Sequence, residues 1–413
     1  MLVLAGLFLL INYGALTLLR PDAWWSHGLI GLAWVIAAVG GHITLNRTLP
    51  DRDFLIFPLV MFMSGWGLVI IDRLAPRFAD RQAIWLVLSV GAMLAVAVYP
   101  NVLRWLRNYR YLWLLTGLTL LVATIILGRN PTGDLNAPQL WLGVGDLNFQ
   151  PAELLKVILV VFLASYLAEQ YPALRAEGLA ADGRSLPTSP RVFGPILLMW
   201  TLCIVVLVWQ RDLGTAAIFF IVFSLLLYVA SGYTFVLIGG LILLIIAGVV
   251  AYSLFDVVSL RVDIWINPWP EADGRAFQIV QSLQAFAAGG VFGQGIGQGS
   301  PTFIPVVHSD FVFAAIAEEY GLLGIIAALC SIGGLLLRGL RIAVLNQSQP
   351  FLGMLATGLS LLIGVQSLLI MGGVLRLVPL TGVTLPYFSY GGSSLLMSFV
   401  IAGLLLRLSA AES

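Results

Sequence analysis

The sequence predicts an all-α polytopic membrane protein of about twelve spans, and three observations carry that prediction. Of 413 residues, 60% are hydrophobic and only 10% are charged, against about 25% charged in an average soluble domain. The apolar residues gather into long runs, many of them near the ~20 residues that a helix needs to cross a bilayer. Alternating apolar and polar patterns are not evident along the chain, which argues against a β-barrel. Lipid offers a backbone amide no partner, so each spanning run must close its hydrogen bonds within itself as a helix.

Taken in order, the runs lie near residues 2–19, 27–45, 54–72, 82–99, 111–128, 153–170, 193–210, 213–231, 233–255, 311–337, 350–374 and 388–409. The first has neither a basic leader nor a small-residue cleavage site and reads as a retained span. Three connections are long: 129–152, 171–192 and 256–310. From Glu177 to Pro190 the second is polar and rich in Gly, Pro and Ser, the composition of a flexible loop. The third holds Trp265, Trp269, a glycine-rich run and a stretch where Arg275, Gln278, Gln281 and Ser282 recur at helical spacing among apolar residues. An amphipathic helix in the plane of the interface is expected there. Twelve spans put both termini on one side. The basic residues divide almost evenly between the two sides, so charge alone scarcely decides which side that is.

Several function classes drop out. A net charge of +1 gives no electrostatic case for nucleic acid. Cys203 and Cys330 lie inside apolar runs and read as small core residues rather than a disulfide frame. His27, His42 and His308 have no metal-ligand spacing, so a zinc site is not expected.

Ionisable groups at membrane depth are costly, and each raises a functional question. Lys156 is the only lysine and follows Pro151 and Glu153, which suit a first helical turn. It reads either as a snorkelling anchor or as a phosphate or carboxylate partner facing a cavity; Glu153, three residues earlier, could also pair with it. Arg211 and Asp212 open the eighth run. Adjacent helix residues do not face each other, so each needs its own partner, in another helix or in a substrate. Asp310 ends the longest connection and begins a helix. It is either an acidic cap or a general base at the mouth of a cavity. Glu318 and Glu319, two turns deeper, must be paired, hydrated or protonated, and pairing is the simpler reading. The glycine run from Gly289 to Gly299 follows no strand and lacks dinucleotide spacing; it reads as a loop with unusual backbone angles. Leu385 to Ser394 interrupts the start of the last span with Pro, Gly and hydroxyls, as cavity-lining backbone would.

Together these segments resemble the SEDS family (shape, elongation, division and sporulation). The matching stretches are FQPAELLK ending at Lys156, QRDLGTA from Gln210, FQIVQSLQAFAAGGVFGQGIGQG from Phe277, HSDFVFAAIAEEYGLLG from His308 and PLTGVTLPYFSYGGSSL from Pro379. They lie in order over more than half of the chain. The resemblance implies a ten-helix core over residues 51–413, including loop 256–310, behind an extra N-terminal helix pair in residues 1–50. It also implies a bacterial cytoplasmic membrane, termini inside and loop 256–310 outside. The implied activity is a peptidoglycan glycosyltransferase that polymerises lipid II, releases undecaprenyl diphosphate and serves elongation or division. The implied partner is a class B penicillin-binding protein. A divalent cation, Mg²⁺ or Mn²⁺, is implied with its ligands unassigned. The family's essential aspartate matches Asp310. Substrate contacts are expected from Gln150, Glu153 and Lys156, from Trp141, from Arg211, Asp212 and Thr215, from Arg261, Gln278, Ser282 and His308, and from Ser389, Tyr390, Gly391 and Ser393. Many relatives carry a basic pair before the position of Trp141, where this chain has Pro138-Gln139-Leu140.

Two other classes compete. A lipid-precursor flippase or transporter would use broken helices and many glycines in alternating access. Against it, no internal repeat is evident and the best acid lies at a helix mouth. A non-catalytic scaffold for a wall synthase would not need Asp310, Lys156 and Arg211 together.

Overall fold

The structure, a computed structural model, describes residues 1–130, 139–144, 147–180, 201–202 and 212–411. Among these residues, 11 helices are long and apolar enough to cross a membrane. They are α1 (Leu2–Leu19), α2 (Trp24–Thr48), α3 (Ile56–Leu74), α4 (Pro76–Val98), α6 (Arg110–Leu127), α7 (Pro151–Ala180), α8 (Leu213–Ser231), α9 (Thr234–Leu254), α12 (Val312–Leu345), α13 (Pro350–Val374) and α14 (Gly392–Ser409). Each coincides with a predicted run. The remaining prediction, 193–210, falls almost wholly outside the described residues. Three shorter helices complete the set: α5 (Val102–Asn108), α10 (Asp256–Ile266) and α11 (Phe277–Gly289).

Local chemistry sets many boundaries. Asp53 accepts from the N–H groups of Leu55 and Ile56 ahead of α3, at 2.9 and 3.3 Å. Pro76 and Pro350 open α4 and α13, where a missing N–H costs nothing. Gly232 ends α8 with φ 74°, a conformation that glycine adopts without a Cβ clash.

Helices in lipid gain little from apolar burial against one another, so close packing of small residues holds them together. A Cβ on Gly403 of α14 would lie 2.6 Å from the Met93 carbonyl of α4. Central and peripheral helices separate clearly: α7 and α13 are 83% buried over their most apolar windows, α3 78%, and α9 only 6%. The bundle therefore centres on α3, α7 and α13, and α9 presents its sides to the bilayer.

Three expectations need correction. α7 continues through Ala180, so the first part of the predicted loop 171–192 is helical. A short antiparallel hairpin pairs β1 (Leu142–Val144) with β2 (Leu147–Phe149); three-residue strands are too short for alternation to reveal. The 34-residue α12 is kinked at Gly321, whose φ is 64° and ψ −160°. The glycine run uses that kink. The N–H groups of Gln294 and Gly295 donate to the carbonyls of Glu318 and Glu319, and those of Leu322 and Leu323 to Gly290 and Val291. A Cβ on Gly321 would lie 2.6 Å from the Val291 oxygen, so backbone docks directly on backbone.

Candidate active site

Four elements converge at the end of the bundle that carries loop 256–310: the start of α8, α10, the residues before α12, and the segment between α13 and α14. Asp212 caps α8, accepting from the Thr215 N–H at 2.9 Å and its hydroxyl at 2.6 Å. Its hydrogen-bond partner is therefore local, where one in another helix or in a substrate was expected, and Thr215 is spent on the same cap. Arg211 lies outside the described residues. From α10, an Arg261 N–H donates to the Thr381 carbonyl at 3.1 Å. A Cβ built on Gly382 (φ 70°) would lie 3.5 Å from the Arg261 guanidinium and 3.8 Å from the Asp310 carboxylate. Arg261 is thus attracted to both Asp212 and Asp310.

Asp310 does not cap α12. The cap residue is Phe311, and no side chain bonds to the helix start. The Asp310 carboxylate accepts from the Ser309 hydroxyl at 2.7 Å and keeps partial exposure. Protein packed around it raises its pKa above the usual carboxylate range, a nearby Asp212 adds to the rise, and Ser309 and Arg261 oppose it. A carboxyl shifted upward beside a cation that a backbone carbonyl fixes has the properties of a proton acceptor tuned toward neutral pH. Arg261 itself is lowered by burial and raised by the two aspartates.

The segment after α13 is fastened by hydroxyls. Ser389 donates to the Ser309 carbonyl at 2.5 Å and accepts from the Leu385 N–H at 2.9 Å. Tyr390 N–H donates to the His308 carbonyl at 2.8 Å. Tyr387 holds φ 68° and, buried, donates its hydroxyl to the Ser398 carbonyl at 2.7 Å. A left-handed conformation at a bulky residue is strained and persists where surrounding contacts enforce it. Gln82 of α4 reaches the Ser389 carbonyl and the Gly391 N–H at 3.3 and 3.4 Å. His308, Phe78 and Tyr390 form an aromatic cluster, with Phe78 stacked on His308 at 5.0 Å and tilted against Tyr390 at 4.8 Å. Burial lowers the His308 pKa and favours its neutral form.

Lys156 is internal. It is 2% exposed, lies 2.8 Å from Glu153 and donates to Gln366 at 2.7 Å. Gln366 in turn donates to the Thr384 carbonyl at 2.9 Å. Lys156, Glu153 and Gln366 line a small cavity with Pro386 and Ser398. The snorkelling-anchor reading fails, because the ammonium points into protein. The Gln150 N–H donates to the Ser393 hydroxyl at 2.9 Å, so this pair fastens α7 to α14. Ser282 is fully buried and donates to the Val374 carbonyl at 3.1 Å; it ties α11 to the end of α13 rather than facing a ligand. Gln278 reaches the Pro305 carbonyl at 3.4 Å. Trp141 pairs through its backbone with Arg129 at the base of the hairpin, apart from the contacts around Asp310. Glu318 and Glu319 are structural: they accept from the N–H groups of Ser300 and Gly297 at 2.6 and 3.1 Å.

Sequence reading missed Gln82, Gln366 and Phe78. A lone amide inside an apolar run was the available signal for Gln366; Gln82 follows Asp80 and Arg81 at the start of its run and carried no such signal. Among the described residues, no group of three or more His, Cys, Asp or Glu could hold a metal ion.

A many-spanning helical bundle with a raised carboxyl, a fixed arginine and a hydroxyl-rich segment gathered at one end is the frame of a membrane-embedded enzyme, with its candidate site at a helix mouth. The FtsW/RodA/SpoVE family model, described as "Cell cycle protein", matches residues 52–413, and the chain belongs to that family. It is 35% identical over 395 residues to the peptidoglycan glycosyltransferase RodA of Mycobacterium tuberculosis, covering 93% of this chain and 84% of that one. Among solved structures it resembles one described as "Structural coordination of polymerization and crosslinking by a peptidoglycan synthase complex", with TM-score 0.70, 27% identity and coverage of 87% and 97%. It also resembles a variant of the Thermus thermophilus Rod shape determining protein RodA, with TM-score 0.61, 25% identity and the same coverage.

Proposed function

We propose that this chain is a peptidoglycan glycosyltransferase that joins lipid II units into glycan strands and releases undecaprenyl diphosphate. The supporting observation is the half-buried Asp310 carboxyl facing Arg261 across Gly382, in a chain 35% identical to a RodA of that activity.

In the reaction, a sugar hydroxyl of the acceptor attacks the anomeric carbon of the donor. Asp310 takes the hydroxyl proton, the new C–O bond forms, and the bond to phosphate breaks with its electron pair leaving on the diphosphate. Direct displacement inverts the anomeric centre. Arg261 balances the charge gathering on the leaving group. His308, Tyr390 and the backbone near Gly391 line the approach for the sugars. Lys156 and Glu153 act at a distance, holding Gln366 and through it Thr384. Mg²⁺ binds through one or two carboxylates plus substrate phosphates. Asp212 suits such a site, because each of its oxygens keeps a lone pair beyond its bond to Thr215. A cation held there would supply further charge neutralisation for the diphosphate.

The site faces outside the cytoplasmic membrane, and a class B penicillin-binding protein cross-links the product. The peptidoglycan synthase complex among the similar structures supports such a partner. The deciding experiment incubates the purified chain with labelled lipid II and Mg²⁺ or Mn²⁺. Glycan polymer that disappears in Asp310→Asn is the expected result. Lipid scrambling without polymer would replace this reading with a flippase, and neither activity would leave a scaffold.

A further inference from the structure

Residues 1–51 precede the family match at 52–413, and a helix pair added at a bundle edge could simply float in lipid against apolar neighbours. This pair is instead joined to the core by polar contacts that would be costly to leave unmet in a bilayer. His27 Nδ1 and Asp72 Oδ2 lie 2.7 Å apart, with the two residues 3% and 1% exposed. The Tyr320 hydroxyl donates to Asn12 at 2.8 Å and the Trp34 indole to the Met61 carbonyl at 2.9 Å. The core is cut to receive the pair: a Cβ on Gly65 of α3 would lie 2.6 Å from Leu9 and 2.7 Å from Trp34.

The contacts do not stop at the seam. Asp72 is followed by Arg73, and successive helix positions point in different directions, about 100° apart. Asp72 therefore faces α2 while Arg73 faces the glycine run. The Arg73 guanidinium donates to the carbonyls of Gly297 and Gly299 at 3.3 and 3.1 Å, and its Nε lies 3.2 Å from Glu319. The same Glu319 oxygen accepts the Gly297 N–H at 3.1 Å. From α1, Leu19 sits over the run so closely that a Cβ on Gly297 would lie 2.5 Å from it, and Arg20 donates to the Arg73 carbonyl at 3.3 Å. The other side of the run docks on the Gly321 kink. The unbroken turns of α12 from Glu319 back to Val312 lead directly to Asp310.

We propose that the N-terminal helix pair is a positioning brace: through His27, Asp72 and Arg73 it fixes the glycine run, and the run fixes the start of α12 and so the placement of Asp310. His27 and Arg73 are positioning residues that touch no substrate. The catalytic readout rests on the glycosyltransferase reading above; the structural readout does not.

The test uses the full chain in nanodiscs, comparing wild type with His27→Gln, Arg73→Gln and the double variant. Hydrogen exchange is followed in peptides over 291–300, with peptides from α7 and α13 reporting that the bundle is folded. Each single variant is expected to speed exchange over 291–300 by about tenfold. Each lowers kcat for lipid II polymerisation about fivefold while KM stays within about twofold. The double variant is expected to be no worse than the worse single one, as for residues in one chain of contacts. If His27→Gln unfolds α7 and α13, Asn12→Ala takes its place with the same expected exchange and kcat changes. Unchanged exchange over 291–300 in the folded variants, a loosened run with normal kcat, or additive losses would each overturn the brace and leave the pair a membrane anchor. A wild-type chain without polymerase activity would overturn the glycosyltransferase reading, and the exchange data would still decide the brace.

Discussion

Arg261 and Asp310 face each other over the α-carbon of Gly382, close enough that a methyl group there would touch both, at 3.5 and 3.8 Å. The cation comes from α10, the acid from the turn just before α12, and the glycine between them from a third segment. The cation and the acid are thus brought together by one junction.

Asp310→Asn keeps the shape and removes the proton acceptor. Polymerisation of lipid II should fall by about 10²–10⁴-fold, with an unchanged elution profile and helix content. Retention of more than about a tenth of the activity would remove Asp310 from the chemistry.

Gly382→Ala places a methyl group between Arg261 and Asp310 at a φ of 70°. The backbone strain should cost about 1 kcal/mol or more, read as a lower Tm. The loss in kcat should exceed what that destabilisation explains, because the methyl group occupies the gap between base and cation.

The raised Asp310 pKa has two consequences of opposite sign. Activity needs the carboxylate, so kcat/KM should fall as pH drops through a value above the ordinary carboxylate range. Arg261→Gln removes an influence that lowers that pKa, so the acid limb should move to higher pH. For stability the folded state holds this proton more tightly than the unfolded state. Asp310 therefore contributes less to stability as pH rises from the ordinary carboxylate value through the raised one. Asp310→Asn should then be more thermally stable than wild type at neutral pH, which a pH series of melting curves would check.

Lys156→Ala leaves Glu153 as a buried charge without its cation, a change that costs about 3–5 kcal/mol. Expression and Tm should drop, and activity per folded molecule should drop less. Glu153→Gln combined with Lys156→Met should recover most of the Tm. A Lys156→Ala protein with normal Tm and a raised KM for lipid II would instead return the lysine to the substrate.

Much of the bundle was legible because membrane spans are a local signal. An apolar run long enough to cross lipid has to be a helix wherever it packs, and eleven of the predicted runs are helices in the structure. Asp310 was legible for a related reason, since an acid at a helix mouth in so apolar a chain asks to be explained. The hairpin at 142–149 and the helical extension of α7 into polar sequence were not legible, because neither produces a run or a period long enough to stand out.

Sequence by itself determined that this protein lives in lipid, where its spans lie, and which acid to suspect. Tertiary structure alone decided what each polar side chain is for. Lys156 meets Gln366 210 positions away, His27 meets Asp72 on another helix, and Ser282, expected on a polar stripe, turns inward to Val374. The reason is physical: solvent polarity selects helix from coil residue by residue, whereas in a medium without water a polar group's role is set by whichever partner the packing brings to it.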